Sequence, residues 1–176
     1  FNSAMLKIAH NKFYNHNLGD NHRFPMAKYD LIPRQLISEK VCNKNNFFDP
    51  KDLIMSDILS THDIEYINNL VNLTMSKNEA RSIGFPLTSA LIEREKKIAQ
   101  GTIECSLHSI ENGVSLNMAG GTHHAFRKKP GAFCMLNDQA IAANFLLDKN
   151  YYKKIMIVDL DVHQGDGTAS IFKNDG

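Results

Sequence analysis

The chain has 176 residues, a length that suits one domain with a substantial hydrophobic core. Its 43% hydrophobic and 22% charged residues are typical of an ordinary globular protein. The formal net charge of +1 is spread along the chain, so it carries no electrostatic signature for nucleic acid or an anionic membrane. We therefore expect neither of these as a direct partner.

The chain has three cysteines, Cys42, Cys105 and Cys134, and none forms a CxxC pair. This argues against a disulfide framework and against a structural zinc knuckle. No apolar run is long enough to cross a bilayer, and no signal-peptide pattern opens the sequence. We expect a reducing, cytoplasmic setting, or a nuclear one if the organism is eukaryotic. Residues 1–4 precede Met5 and look like a cloning remnant, so the predicted domain covers residues 5–176.

Patterns typical of strands and helices alternate along the chain. In chain order we predict a strand at 5–9, a helix at 33–40 with Pro33 in its first turn, a strand at 53–55, a helix capped by Thr61, a long helix at 88–110, a strand at 114–118, a helix at 135–147, a buried strand at 155–160 and a helix starting at Thr168. This alternation predicts an α/β fold, a parallel sheet flanked by helices. The pattern stops where another strand is expected, so we predict a sheet that is incomplete at the C-terminus and the N-terminal part of a single larger domain.

The most informative segment is the apolar run 155–158, which ends in several charged or ionisable groups. Asp159, Asp161, His163 and Asp166 follow it directly. Unpaired buried charge is costly, and a divalent cation is the simplest partner for such a cluster. In a strand, residues two apart point to the same side, so Asp159, Asp161 and His163 would converge. We interpret the segment as half of a catalytic metal site.

A second polar cluster, Gly120-Gly121-Thr122-His123-His124, follows the predicted strand at 114–118. Ligands of open parallel sheets lie at the carboxyl ends of strands, so both clusters belong to the same edge. An imidazole there can accept a proton from metal-bound water or protonate a leaving amine. Each imidazole needs a carboxylate behind it. Asp159 and Asp166 are available for this, which leaves Asp161 and His163 as metal ligands.

Four motifs together resemble the histone deacetylase superfamily, which includes bacterial acetoin-utilisation and acetylpolyamine deacetylases. They are Gly-Gly-Thr-His-His at 120–124, Pro-Gly-Ala-Phe-Cys-Met-Leu-Asn-Asp at 130–138, Val-Asp-Leu-Asp-Val-His-Gln-Gly-Asp-Gly-Thr at 158–168, and His-Arg-Phe-Pro-Met-Ala-Lys-Tyr at 22–29. The last is similar to the class IV branch and its bacterial relatives. The resemblance runs from about Met5 onward and covers the N-terminal portion of the family's arginase/deacetylase-like domain.

The resemblance implies a zinc-dependent deacylase, with Fe²⁺ as an alternative metal, that hydrolyses the amide of acetyl-lysine or a related acyl-amine. Metal-activated water would attack, and the tandem histidines would act as general acid and base. A structural K⁺ would be held by backbone carbonyls near the acidic segment. The positions that match the family's catalytic residues are His123, which would pair with Asp159, and His124, which would pair with Asp166. The positions that match its metal ligands are Asp161 and His163.

The resemblance also implies a substrate tunnel. Phe133 matches an aromatic wall of the tunnel, and Gly131, Ala132 and Phe85 are the other expected substrate contacts. Ala132 stands where many relatives have a glycine, which predicts a different acyl-chain preference. Lys28 falls where many relatives place an arginine that lines an internal channel. The expected substrate is an acylated lysine in a protein or peptide, or an acylated polyamine, and no organic cofactor is expected.

In relatives, a third zinc ligand and an oxyanion-stabilising tyrosine lie beyond the position of Gly176. With two ligands alone, residues 1–176 are expected to bind zinc weakly and to catalyse poorly. Two alternatives are an arginase-like metal ureohydrolase, which shares the fold, and an inactive domain that binds acylated lysine. Which histidine transfers the proton stays open at this point, as does oligomeric state. Cys134 is interpreted as a buried small hydrophobic residue, and Asn137 and Asp138 as helix caps.

Overall fold

The structure is a computed structural model that describes residues 5–19 and 22–174, so the predicted remnant at 1–4 lies outside the described residues. Its centre is a parallel three-stranded sheet of β1 (Lys7–Ala9), β2 (Phe47–Phe48) and β3 (Ser115–Asn117) in the order β2-β1-β3. Ile8 lies opposite both Phe47 and Leu116. All three strands run the same way, so their carboxyl ends meet at one edge. The predicted α/β class with a parallel sheet is confirmed.

Besides the sheet, the described residues contain seven α-helices. They are α1 (Lys28–Ser38), α2 (Met55–Leu59), α3 (Ile64–Val71), α4 (Lys77–Ile83), α5 (Ser89–Asn112), α6 (Asp138–Asp148) and α7 (Asp166–Phe172). The longest of them, α5, packs against β1, β3 and α6 and so forms the middle of the core. Within the described ranges, none of these helices combines the length and apolar character that crossing a bilayer requires.

Helix α5 confirms the long helix predicted at 88–110. The hydroxyl of Thr88 accepts a hydrogen bond from the Leu91 backbone N–H at 3.2 Å and so caps its N-terminus. Leu91 and Ile98 are among its fully buried side chains. Gly101 lies inside the helix. A glycine is needed at this position because a Cβ there would stand 2.6 Å from the Tyr14 hydroxyl. The glycine therefore allows close packing without ending the helix.

Helix α1 begins at Lys28, five residues earlier than predicted, and Pro33 lies in its interior. A proline lacks the N–H that would bond to the carbonyl four residues earlier, here that of Tyr29. The imidazole of His10 lies 3.0 Å from this carbonyl through Nε2 and can donate to it instead. A tertiary contact thus compensates for the missing helical bond. The sequence pattern around Pro33 cannot show that contact.

Two predictions between residues 53 and 63 are wrong. The predicted strand at 53–55 is not a strand, and Met55 instead begins α2. The cap of α3 is Asp63, whose side chain accepts from the Glu65 N–H at 3.0 Å. Thr61, predicted as that cap, is fully buried and accepts from the Asn144 side chain at 2.8 Å. Both residue types cap helices, so a local reading does not distinguish them.

The predicted buried strand at 155–160 is also wrong, because the segment is neither a strand nor buried in the described structure. The exposure of its hydrophobic side chains still alternates along the chain. Ile155 and Ile157 are half-buried beside α6 and α7, whereas the outward residues Met156, Val158, Leu160 and Val162 are 83, 62, 91 and 92% exposed. A strand is defined by hydrogen bonds to a neighbour, and no described strand pairs with this segment.

Candidate active site

The paired histidines follow β3 at the carboxyl edge of the sheet, after a turn in which Gly121 has a φ of +92°. Their ring centroids are 4.1 Å apart. His123 Nδ1 lies 2.7 Å from Asp159 Oδ2, and His124 Nδ1 lies 2.8 Å from Asp166 Oδ1. Each Nδ1–H therefore donates to its own carboxylate, which fixes the tautomer with Nε2 as the free basic atom.

The two carboxylates are suited to hold these tautomers. The hydrogen bond from His123, followed by one from the Asp161 backbone N–H, lowers the pKa of Asp159. For Asp166, partial burial raises the pKa, but hydrogen bonds from His124 and from the Gly167 N–H outweigh it and the net pKa is lowered. Both groups thus stay ionised at neutral pH and act as acceptors.

The predicted metal ligands lie beside the same imidazoles. Asp161 Oδ1 is 2.9 Å from His163 Nδ1 and 4.0 Å from His123 Nε2. The rings of His163 and His124 have centroids 6.2 Å apart. Hydrogen bonds from the backbone and then the ring of His163 lower the pKa of Asp161, which keeps this carboxylate anionic. The structure thus brings together all six residues predicted for catalysis and metal binding.

A carboxylate and an imidazole this close match the donor set that zinc takes in catalytic sites. Catalytic zinc normally has three protein ligands. Within residues 5–19 and 22–174, no group of three or more suitable side chains converges on one point. Asp161 and His163 therefore fit as part of a metal site, and the described residues do not complete it.

The imidazoles, Asp161 and His163 border a cavity of about 520 Å³. Of the predicted substrate contacts, Phe85, Ala132 and Phe133 line it. Gly131, the fourth predicted contact, is not among the residues that line it, and a Cβ there would stand 2.2 Å from the His124 carbonyl oxygen. Only glycine can therefore pack this closely against the backbone of the histidine pair.

One side of the cavity is aromatic. Phe133 has a φ of +60°, and its N–H donates to the Ile83 carbonyl at 2.7 Å. Its ring centroid lies 4.9 Å from that of Phe85 and 5.1 Å from that of Phe24. Gly84, with a φ of +75°, leaves room for it, since a Cβ there would stand 2.8 Å from Phe133 Cε1. The result is an apolar wall of fixed shape.

Two basic residues, Lys28 and Arg94, also line the cavity. The buried Arg94 donates to the Tyr14 carbonyl at 2.9 Å and pairs with Glu95. Burial raises the pKa of Glu95 to about 7. The guanidinium of Arg94 and the ammonium of Lys28 each lie 5.1 Å from the Tyr29 ring centroid. Burial, and then the charge of Arg94, lower the pKa of Lys28.

Sequence reasoning missed Arg94 and Glu95, although a signal for them exists. Arg94 lies three residues after Leu91, and Glu95 lies three residues before Ile98. Both therefore fall on the inward-facing stripe of α5. Two charged residues on an apolar stripe indicate a buried ion pair. The expectation for Cys134 fits its surroundings, because burial raises the pKa of the thiol to about 12 and disfavours the nucleophilic thiolate.

Solved structures with the same architecture are deacetylase homologues. The crystal structure of an HDAC homologue from Aquifex aeolicus matches with a TM-score of 0.79 and 22% identity, over 95% of this chain and 47% of that chain. An HDAC homologue complexed with SAHA matches with a TM-score of 0.78 and 23% identity, over 95% and 47%. The fold is therefore that of the histone deacetylase class of α/β proteins.

Sequence comparison gives the same result. The histone deacetylase domain model matches residues 22–176, so the chain belongs to the histone deacetylase family. An uncharacterized protein of Picosynechococcus is 36% identical over 89% of this chain and 52% of its own length. Histone deacetylase clr6 of Schizosaccharomyces pombe is 29% identical over 90% and 41%. The acetoin utilization protein AcuC of Staphylococcus aureus strain COL is 25% identical over 96% and 46%. The chain spans about half the length of these relatives.

Proposed function

We propose that the protein is a zinc-dependent deacylase that hydrolyses the amide of acetyl-lysine or a related acyl-amine. The observation that carries the proposal is the double pairing of His123 with Asp159 and of His124 with Asp166. It leaves two Nε2 atoms at one cavity, beside the carboxylate of Asp161. Membership of the histone deacetylase family supports the same class of reaction.

The metal would be held by Asp161 and His163, together with a further ligand outside the described residues. Zn²⁺ is the metal that this donor set favours, and Fe²⁺ is the alternative. When bound, the metal supplies Lewis acidity, which polarises the amide carbonyl and lowers the pKa of a water. We further propose a structural K⁺ on the backbone carbonyls around residues 159–163.

His124 is assigned as the proton-transferring group. Its side chain is 20% exposed, compared with 7% for His123, so His124 is the more accessible of the two imidazoles. Nε2 of His124 would accept the proton of the attacking water and later deliver it to the departing amine. Asp166 would stabilise the imidazolium that forms in between. His123, with Asp159, would contribute mainly electrostatic support.

The aromatic wall suits the hydrocarbon stem of a lysine or polyamine. Phe85 and Phe133 give the cavity an apolar side on which methylene groups can pack. The proposed substrates are therefore an acylated lysine in a protein or peptide, or an acylated polyamine. A cytoplasmic location, or a nuclear one in a eukaryote, stays a prediction.

The two alternatives predicted from the sequence differ in their support. A dimetal ureohydrolase needs several carboxylates to bridge two metals. Of the three carboxylates described at this site, Asp159 and Asp166 are hydrogen-bonded to the paired histidines, which leaves Asp161 beside His163. Family membership adds to the case against this alternative. An acyl-lysine-binding domain without activity would need the same cavity, and the hydrolysis assay distinguishes it.

The test is to incubate the full-length protein with lysine peptides that carry acyl groups of increasing length, and with acetylpolyamines. We expect hydrolysis that a chelator abolishes and added Zn²⁺ restores. Hydrolysis that persists after complete metal removal would contradict the metal-dependent reaction. Binding without hydrolysis in the zinc-loaded protein would establish the inactive binding domain instead.

We also propose that residues 5–176 form the N-terminal part of a single catalytic domain. The support is the uncovered apolar side of residues 156–162, which alternate with the predicted site residues. Residues 1–176 alone should then show no measurable deacylation under conditions in which the full-length protein is active. Measurable deacylation by the isolated 176 residues would contradict this division.

A further inference from the structure

A buried carboxylate lies directly behind the turn that carries the histidine pair. Asp138, the first residue of α6, is 1% exposed, and no described cation pairs with it. It accepts instead from the Thr122 N–H at 2.7 Å, from the Gly121 N–H at 3.0 Å and from the Thr102 hydroxyl at 2.6 Å. The Thr122 hydroxyl lies 2.6 Å from the same carboxylate. Because buried charge is costly, this many donors indicates a built arrangement.

The glycines of the turn are explained by this carboxylate. A Cβ on Gly120 would stand 2.7 Å from Asp138 Oδ2, so only glycine lets the turn approach it. The positive φ of Gly121 turns two successive backbone N–H groups toward one point. Converging N–H groups of this kind form an anion-binding nest. Here the anion is a side chain of the protein itself.

The carboxylate joins two elements to the start of the histidine pair. Thr102 belongs to α5, Asp138 begins α6, and Thr122 directly precedes His123. Thr122 is also bonded in the other direction, since its hydroxyl oxygen accepts from the Asp138 N–H at 3.0 Å. The direction in which the chain enters His123 and His124 is therefore set from the α5–α6 core.

We propose that Asp138 is a positioning residue for the deacylation reaction, and this rests on the proposed function above. Its carboxylate holds the turn at 120–122 so that His123 and His124 meet two different carboxylates at once. Their Nδ1–oxygen distances of 2.7 and 2.8 Å leave little room for rotation of the turn. A small displacement would break both pairs together, and displacements of this size are known to be expensive for catalysis.

The hydrogen-bonding pattern distinguishes two substitutions. Asp138→Ala removes every acceptor and leaves the N–H groups of the turn unpaired. Asp138→Asn can keep the oxygen that faces Thr122 and turn its amide nitrogen toward the Thr102 hydroxyl, which can accept. Positioning therefore predicts substantial rescue by Asn, whereas a role for the negative charge predicts none.

The experiment compares these variants in the full-length protein by kcat, KM and thermal melting. Asp138→Ala should lower kcat by about a hundredfold, the scale of a misplaced catalytic group, with KM within about threefold. Asp138→Asn should stay within about tenfold of the wild-type kcat. The control is Asn46→Ala, which loses a buried bond to the Leu6 carbonyl at the opposite edge of the sheet and should melt earlier with unchanged kcat.

A second readout does not depend on activity. The Nδ1–H protons of His123 and His124 should give downfield NMR resonances in the wild type, Asp138→Asn and Asn46→Ala, and these should be lost in Asp138→Ala. If Asp138→Ala does not fold, Gly120→Ala, which displaces the carboxylate, takes its place. Unchanged resonances with kcat within threefold, or equal kcat losses for Ala and Asn, would overturn the proposal. If the wild-type protein binds zinc but hydrolyses none of the substrates, the proposed function is refuted instead. The NMR resonances still test the positioning role of Asp138 in that case.

Discussion

His123 and His124 are adjacent in the chain, yet their carboxylate partners come from either end of one loop. Asp159 precedes the predicted metal ligands, and Asp166 follows them at the start of α7. The predicted metal ligands therefore lie in sequence between the two residues that hold the imidazoles. Under the proposed function, a displacement of this loop would alter proton transfer and metal binding together.

The first prediction concerns the more exposed imidazole. His124→Ala in the full-length protein should lower kcat by at least about a hundredfold, because general acid–base catalysis contributes on that scale. Steady-state hydrolysis of an acyl-lysine peptide measures it. The control is His108→Ala, which removes an imidazole that packs on Phe48, away from the cavity. A loss of only a few-fold for His124→Ala would remove the assigned role.

The second prediction concerns metal retention. Asp161→Ala should leave the full-length protein without stoichiometric zinc after gel filtration, because catalytic zinc depends on each of its few protein ligands. Elemental analysis gives the metal content directly. Asp148→Ala, which removes an exposed carboxylate at the end of α6, should retain the metal. Equal zinc content in both variants would show that Asp161 is not a ligand.

The third prediction uses two glycines with similar backbones. Gly84 and Gly113 have φ angles of +75° and +81°, so alanine at either should cost about 1 kcal/mol of stability. Only at Gly84 does the new Cβ meet a side chain, that of Phe133 at 2.8 Å. Displacing that ring should cost ~1 kcal/mol of substrate binding, about fivefold in KM. Gly113→Ala, with nothing within 4 Å, should leave KM unchanged. Equal KM values would exclude Phe133 as a substrate contact.

The fourth prediction concerns the pH dependence of stability. Burial lowers the pKa of His62 from 6.5 to about 4. Its Nδ1–H donates to the Phe126 carbonyl at 3.0 Å, while Nε2 accepts from the Asn137 N–H at 3.0 Å. As the pH falls, His62 takes up a proton in the unfolded chain before it does so in the folded protein. The contribution of His62 to the free energy of unfolding should therefore be complete above about pH 7 and should decrease as the pH falls from 6.5 toward 4.

The size of this effect is about 1.4 kcal/mol per pH unit, or up to roughly 3 kcal/mol across the window. Urea unfolding followed by circular dichroism between pH 4 and 7.5 measures it. His62→Asn keeps a donor near the Phe126 carbonyl but does not titrate, so its profile should be flatter in this window. Parallel profiles for the two proteins would show that His62 is not the group responsible.

Much of the fold is predictable from local patterns. The alternation of elements indicates the parallel sheet, and Thr88 with the apolar spacing of α5 indicates the long helix. The motifs also predict which imidazole faces which carboxylate, and the structure has those four residues in contact. Such features depend on short stretches of chain and on the rule that parallel strands end at one edge.

The features that the sequence did not predict depend on distant contacts. Pro33 is tolerated inside α1 because His10 reaches the carbonyl that it leaves unbonded. Asp138 resembles a helix cap in sequence, and its role toward Thr122 depends on two segments meeting in space. The segment 155–160 has the composition of a strand, but forming one requires a neighbour that the described residues do not provide.

The exposed side of residues 156–162 has a practical consequence. One side of this extended segment presents Asp159, Asp161 and His163. The other side presents Met156 and Leu160, which are exposed to solvent. An uncovered apolar edge promotes self-association. On the proposed division of the domain, polar substitutions introduced there to keep residues 1–176 in solution would remove the surface that the rest of the domain covers, and with it the alignment of the proposed metal ligands Asp161 and His163. Solubility engineering of this region and preservation of its chemistry are therefore competing aims.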